Sequence, residues 1–379
     1  MIVQSKKVFI AEQFIPAQIR VDNGKISKIS PYGQTNPDID YGSKLIVPGF
    51  IDIHTHGMGG YSTDDPSPEG LVRWLKALPS EGVTSFLPAT TTQSRQTTIN
   101  ALKNIAMVKN QRHTGAEIIG IHLEGPFLDQ EYKGMHMSEF LRVPSVEEFI
   151  DYQGASNNLI RYITVACEHD KDFSLIRYAS RNGVTVSIGH SGADFESAML
   201  ALANGASSFT HSFNAMKALH HREPGVVGAL LSSDAFAEVI ADGHHVHPSV
   251  VKILFNSKNR SKIILVTDSI GVKGLPKGVY NISNVKVSLD EHGTARNFGT
   301  NTIAGSSLRM NEGVRFLVEH ASVSIEHAII AATLNPAKAI RIEERKGQIR
   351  YGNDADLTVI DNDFSVVATY CMGKQVFKI

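Results

Sequence analysis

Hydrophobic residues in this chain fall into short runs whose character changes along its length. Between 45 and 269 eight runs stand out: LIVPGFIDIH (45–54), VTSFLPATT (83–91), IIGIHLEG (118–125), IRYITVACE (160–168), VTVSIGH (184–190), SSFTHSF (207–213), FAEVIADGHH (236–245) and KIILVTDS (262–269). Taken together they have the near-continuous hydrophobic character that suits parallel strands buried on both faces. Between them lie segments whose apolar residues recur at helical spacing, such as PEGLVRWLKALPSEG and ADFESAMLALANGA. Eight strand–helix units predict an α/β fold, a TIM-type (β/α)8 barrel over 50–345, in preference to an open doubly wound sheet. The stretch 275–304 reads as a β-hairpin inserted after strand eight.

The two ends follow another pattern. Residues 1–49 hold short β-type runs (KKVFI, AQIRV, KISKIS, KLIVP) broken by DNG and PYG. Residues 346–379 do the same with KGQIRYGNDADLTVI, SVVATY and KQVFKI. Neither end is long enough to bury a sheet alone. The expectation is one small β-sandwich domain built from both termini, with the barrel inserted between them.

In such a barrel chemistry gathers at the C-terminal ends of the strands. Strand one ends in His54 and His56, strand three in Glu124, strand five in His190, strand six in His211 and strand eight in Asp268. On a strand, residues i and i+2 share a face about 7 Å apart, so His54 and His56 can lean toward one ion. That pair alone is weak, because a single histidine at a strand end is usually a satisfied structural group. Six metal-competent side chains on five strand ends are a different matter. Imidazole and carboxylate without thiolate suit zinc, iron, manganese or cobalt. Such an ion lowers the pKa of bound water from 15.7 to roughly 7. Glu124 has two oxygens with which to bridge two ions, and Asp268 can take a proton from water and pass it to a leaving group. His122 shares a strand with Glu124 one layer deeper, which makes it a packed or supporting group. His113, His169, His292, His320 and His327 default to the surface, and Cys167 to a small buried side chain.

Composition narrows the partners. A hydrophobic content of 42%, a charged content of 20% and a formal net charge of −1 describe a folded globular protein with no basic block for nucleic acid or a membrane surface. Two cysteines, Cys167 and Cys371, make no disulfide framework. Glu12 and Gln13 interrupt the N-terminal apolar stretch, a poor signal peptide. There is no run of about 18 apolar residues to span a membrane. A cytoplasmic protein acting on a small molecule is expected.

At the strand ends the motifs become recognisable. PGFIDIHTHG, GIHLEGPFL, KGMH, VSIGHS, THSFNAM, REPG, ADGHHV, LVTDS and AGSSL occur in this order between Pro48 and Leu308. The chain resembles the amidohydrolase superfamily, and within it the branch that deacetylates N-acetylglucosamine 6-phosphate. The resemblance implies a metal-dependent amide hydrolase that releases acetate and glucosamine 6-phosphate. It implies Glu124, His190 and His211 as metal ligands, Asp268 as general base and acid, and His136 of KGMH as the group that contacts the acetamide and stabilises its oxyanion. Asn214, Ala215, Arg222 and His245 match substrate-contacting positions, with Met135, Asp242, Gly243, His244, Ile303, Ala304 and Gly305 around the same pocket. It also implies a homodimer. Arg222 has a further reason, since a guanidinium fork reads phosphate through paired charge-assisted hydrogen bonds.

Two departures are visible. Cys167 stands where many relatives have proline. Some relatives lack both histidines of the HTH and use one metal, whereas this chain keeps them. A two-metal site bridged by Glu124 is therefore expected. The second possibility is another amide hydrolase of the same superfamily, on a different N-acyl or cyclic amide. Many of those use a carbamylated lysine at a strand end, and Glu124 takes that place here. A non-catalytic scaffold on the same barrel would have lost ligands that this chain retains.

Overall fold

A computed structural model describes residues 1–111 and 113–379. The barrel wall consists of β1 (Phe50–Thr55), β2 (Val83–Pro88), β3 (Ile121–Glu124), β4 (Ile160–Val165), β5 (Thr185–Ile188), β6 (Ala206–Phe209), β7 (Phe236–Ile240) and β8 (Ile263–Val266). All are parallel to their neighbours and lie in two hydrogen-bonded arcs. One arc holds β1, β2 and the short strand Glu117–Ile118, and the other runs from β3 to β8 in sequence order. Parallel bridges Ala89–His122 and Thr55–Ser269 join the arcs at both seams. At the second seam the amide of Asp268 donates to the carbonyl of His54 at 2.8 Å. Strands far apart in sequence are thus neighbours, and the chain has the TIM-type barrel architecture.

Every residue of β1, β2 and β3 is buried, which is why their sequences do not alternate. Helices cover the outside. Helix Pro68–Ala77 starts where the Ser67 side chain accepts from the amide of Glu69, has proline in its first turn, and turns Leu71, Trp74 and Leu75 inward. Helix Phe195–Ala203 starts in the same way on Asp194, which accepts from the amide of Ser197.

The segment after β8 differs from the expected hairpin by one strand. Gly278–Ile282, Val285–Leu289 and Ala295–Asn297 form a three-stranded antiparallel sheet. The third strand is short and carries Arg296 and Asn297, so it has no hydrophobic signature of its own. Ile282, Val287 and Leu289 pack on Ile270 and Val272 and hold the sheet beside the barrel mouth.

Residues of both termini meet in one eight-stranded sheet. Its strand Leu45–Pro48 lies between Ile2–Ile10, to which it is parallel, and Leu357–Ile360, to which it is antiparallel. Val8, Ile19, Ile46, Leu357, Val359 and Tyr370 form a core separate from that of the barrel. The apolar run 45–54 is therefore shared between two sheets and divides at Gly49. A Cβ there would stand 2.2 Å from the hydroxyl oxygen of Thr84, so only glycine lets the chain pass so close to β2. Lys346 connects the two parts. Fully buried, it pairs with Glu117 at 2.9 Å on the barrel side and with Asp354 at 3.1 Å and Asp356 on the other.

Candidate active site

His190, His211 and Asp268 each stand two residues beyond the last residue of their strand, at the ends of β5, β6 and β8. Their φ angles are 48°, 31° and 49°. This left-handed region costs a non-glycine residue on the order of 1–3 kcal/mol and persists only where the surroundings impose it. The chain turns sharply at each of these positions. Strain at three convergent strand ends is the mark of a site rather than of a scaffold.

The side chains that the sequence singles out converge on Glu124. Its Oε1 lies 3.3 Å from His54 Nε2, 3.4 Å from His211 Nε2 and 3.5 Å from His190 Nε2. Its Oε2 lies 3.1 Å from His56 Nε2 and 3.4 Å from His136 Nε2. Asp268 Oδ1 stands 3.2 Å from His56 Nε2 and 3.5 Å from His54 Nε2. All seven residues are buried.

Hydrogen bonds on the far side of four of the rings, His211 apart, decide which nitrogen carries the proton. His54 Nδ1 faces Glu238 Oε2 at 2.9 Å, His56 Nδ1 faces the carbonyl of Ala89 at 3.1 Å, and His190 Nδ1 faces the carbonyl of Tyr132 at 2.7 Å. Each partner only accepts, so Nδ1 donates and Nε2 keeps a lone pair for a ligand. His136 is the reverse. Its Nδ1 accepts the backbone N–H of Thr92 at 3.1 Å, so its Nε2 bears the hydrogen. His136 therefore presents a donor where its neighbours present lone pairs, and it is the one imidazole of the group suited to a substrate oxygen.

The set fits a divalent metal. Ligands about 2.1 Å from a tetrahedral ion are about 3.4 Å apart. His54 and His56 place their Nε2 atoms 3.2 Å apart, and His190 and His211 place theirs 3.0 Å apart. Glu124 Oε1 has no hydrogen-bond donor among the described residues. His54, His56 and Glu124 form one group that could hold an ion. The electrostatics point the same way. Burial pushes His54 down, but Glu124, Asp268 and Glu238 pull it well above the ordinary histidine range. His56, buried against Asp268 and Glu124, rises to about 9. Burial pushes Glu124 and Asp268 up, yet the facing imidazoles, His54 foremost, hold both well below the usual carboxylate range. Burial, with His211 and His136 beside it, pushes His190 down to about 4, so positive charge is favoured chiefly around His54 and His56.

The same side chains open on a cavity of about 300 Å³ lined by His56, Glu124, His136, His190, His211 and Asp268. Of the expected substrate contacts, Met135, Asn214, Ala215, His245, Ile303 and Gly305 line it as well. Asp242 stands behind His245, accepting from its Nδ1 at 2.7 Å and from the amides of His244 and His245. Gly243 and His244 are exposed, and Ala304 is wholly buried in the insertion's packing. Arg222 is not brought to the cavity wall. It is exposed on the loop after β6, its guanidinium against His221 Nε2 at 2.7 Å.

Several participants have no clear mark in the sequence. Thr91, Glu131, Tyr132 and Thr302 also line the cavity. Glu238, fully buried in β7, holds His54 and accepts the backbone N–H of His211 at 3.1 Å. A lone glutamate inside the apolar run FAEVI is the signal that would have found it. His122 is buried, as expected, with Nε2 against Thr164 Oγ1 at 2.8 Å. His327, expected at the surface, is half-buried beside the Phe255 ring at 4.6 Å.

The model of the amidohydrolase family matches residues 45–376. The chain belongs to the amidohydrolase family. Within that family it is 39% identical to the N-acetylglucosamine-6-phosphate deacetylase of Bacillus subtilis (strain 168), over 95% of this chain and 92% of that protein. It is 33% identical to the N-acetylgalactosamine-6-phosphate deacetylase of Escherichia coli O157:H7, over 94% of each. Among solved amidohydrolases, a mutant N-acetyl-D-glucosamine-6-phosphate deacetylase from Mycobacterium smegmatis in complex with N-acetyl-D-glucosamine-6-phosphate superposes with a TM-score of 0.95. It is 27% identical and covers 100% of this chain and 99% of that one. No helix among the described residues is long and apolar enough to cross a membrane.

Proposed function

We propose that this chain removes the acetyl group from N-acetyl-D-glucosamine 6-phosphate, giving D-glucosamine 6-phosphate and acetate. The observation that carries this reading is the opposed tautomers around one carboxylate: lone pairs on His54, His56 and His190 beside an N–H on His136. Similarity to deacetylases along nearly the whole chain supports it.

Glu124, His190 and His211 would hold one ion, and His54 and His56, beside the same Glu124 and close to Asp268, would hold a second. When bound, such ions supply Lewis acidity and make water acidic enough to deprotonate near neutral pH. Asp268 takes the proton of the attacking water and delivers it to the departing amine nitrogen. His136 donates its Nε2–H to the acetamide oxygen and strengthens that hydrogen bond as negative charge collects there. Met135 and Ile303 seat the apolar part of the substrate and exclude water. His245, oriented by Asp242, reads a sugar hydroxyl or the phosphate.

We read residues 1–49 with 346–379 as a small β domain and 50–345 as the catalytic barrel, supported by the terminal sheet's own core, while Phe9, Leu45, Val47 and Ile360 pack into that of the barrel. We also infer a cytoplasmic homodimer. Arg222 supports it, since a phosphate-reading group exposed outside its own cavity can serve the cavity of a second copy. The test follows acetate release from N-acetylglucosamine 6-phosphate beside its galactose-configured epimer and the unphosphorylated sugar, with metals quantified in the same preparation. Preference for the glucose-configured phosphate by tenfold or more is expected. Equal turnover of the unphosphorylated sugar would overturn the assignment.

A further inference from the structure

We propose that Glu238 is a positioning residue of the metal site: it fixes His54 in the tautomer that can ligate and ties the two halves of the site together. Glu238 lies in the middle of β7 with no exposed surface. An isolated carboxylate buried this deeply costs several kcal/mol unless it is used. Its Oε2 does two things at once, meeting His54 Nδ1 at 2.9 Å and accepting the backbone N–H of His211 at 3.1 Å.

Glu238 Oε2 already accepts the amide of His211 and faces His54 as an acceptor, so Nδ1 of His54 carries the hydrogen and Nε2 the lone pair. That Nε2 is the atom 3.3 Å from Glu124 and 3.2 Å from His56 Nε2. The other rings are held more weakly. His56 and His190 lean on the neutral carbonyls of Ala89 and Tyr132, and His211 Nδ1 has no partner among the described residues. A charged acceptor makes the stronger hydrogen bond and raises the basicity of the opposite nitrogen. Because the same oxygen anchors the main chain of His211, displacing Glu238 disturbs a ligand of each half. One oxygen of β7 thus sets the spacing between a β1 ligand and a β6 ligand.

The effect on affinity rests on the two-ion reading, whereas the tautomer does not. The test uses zinc-loaded protein labelled with ¹⁵N-histidine, as wild type, Glu238→Gln and Glu238→Ala. Long-range ¹H–¹⁵N spectra report the His54 Nδ1–H, competition with a chromophoric chelator reports zinc release, and circular dichroism reports the fold. A protected Nδ1–H on His54 is expected in wild type and a shifted or exchanging one in the variants, with one zinc held about 10–100-fold more weakly. A folded variant that releases zinc as wild type does, or a wild-type His54 lacking the Nδ1–H, would overturn the proposal. Should Glu238→Ala fail to fold, the near-isosteric Glu238→Gln decides. If wild type takes up a single zinc, the two-ion reading fails, and the Nδ1–H signal still judges Glu238.

Discussion

His54 Nε2 and His56 Nε2 stand 3.2 Å apart, and His190 Nε2 and His211 Nε2, 3.0 Å apart, face the same Glu124. We read two ligand pairs sharing one carboxylate as a site for two ions. Replacing both histidines by alanine should lower the metal content by about one ion per chain and reduce activity, while the fold survives. Elemental analysis with circular dichroism checks this. An unchanged metal count would return the pair to ordinary core packing.

Asp268 faces the same pair through a single oxygen. Asp268→Asn keeps the shape and loses the ability to accept a proton. Turnover should fall by about 10²–10⁴-fold with metal content retained. Near-normal kcat would remove Asp268 from the proton-transfer role.

His136 acts through a fixed N–H, so its loss should be felt in the transition state. For His136→Ala, kcat is expected to fall about 10²–10³-fold with a much smaller change in KM. A variant that raises KM alone would show that His136 only binds.

The exposed Arg222 leads to a mixing experiment. Arg222→Ala should raise KM for the phosphorylated substrate and leave the unphosphorylated sugar nearly untouched. If Arg222 serves the cavity of a second copy, refolding Arg222→Ala with Asp268→Asn restores about a quarter of wild-type activity, since half of the dimers are mixed and each carries one complete site. Activity no higher than that of the two variants apart would place Arg222 in its own cavity.

Stability should carry an acid signature from the Lys346 cluster. Burial pushes Asp354 up, but Lys346, followed by Lys25 and Arg345, brings it down to about 2. A lowered carboxylate stabilises the fold above its unfolded pKa near 4 and loses that contribution as pH falls through 2. Asp354→Asn should therefore cost about 2 kcal/mol at pH 7, with the deficit shrinking between pH 4 and 2 in denaturant titrations. A pH-independent deficit would assign the loss to packing.

How far these features can be read from the residues alone depends on the range of the interaction. The eight strands, and the six groups at their ends, are legible because burial on both faces leaves continuous apolar runs, and because chain order puts His54, Glu124, His190, His211 and Asp268 at the same rim. Glu238 leaves only a faint mark, a single charge inside the apolar run FAEVI, because its meaning comes from a histidine 184 residues away. The strand Ala295–Asn297 escapes notice because it has no apolar period. The division of 45–54 at Gly49 is invisible because both sheets require the same hydrophobic character. The position of Arg222 depends on the path of a loop, which no periodicity records.

The strand Leu45–Pro48 gives the molecule a particular order of birth. One of its edges is taken at once by residues near the start of the chain, while the other waits for Leu357–Ile360. During synthesis the barrel strands and the candidate site residues at their ends emerge while that edge still lies open, and an open strand edge recruits whatever backbone it meets. The small sheet closes last. A ribosome stalled before residue 360 would display a nearly finished active site beside an unfinished, aggregation-prone seam.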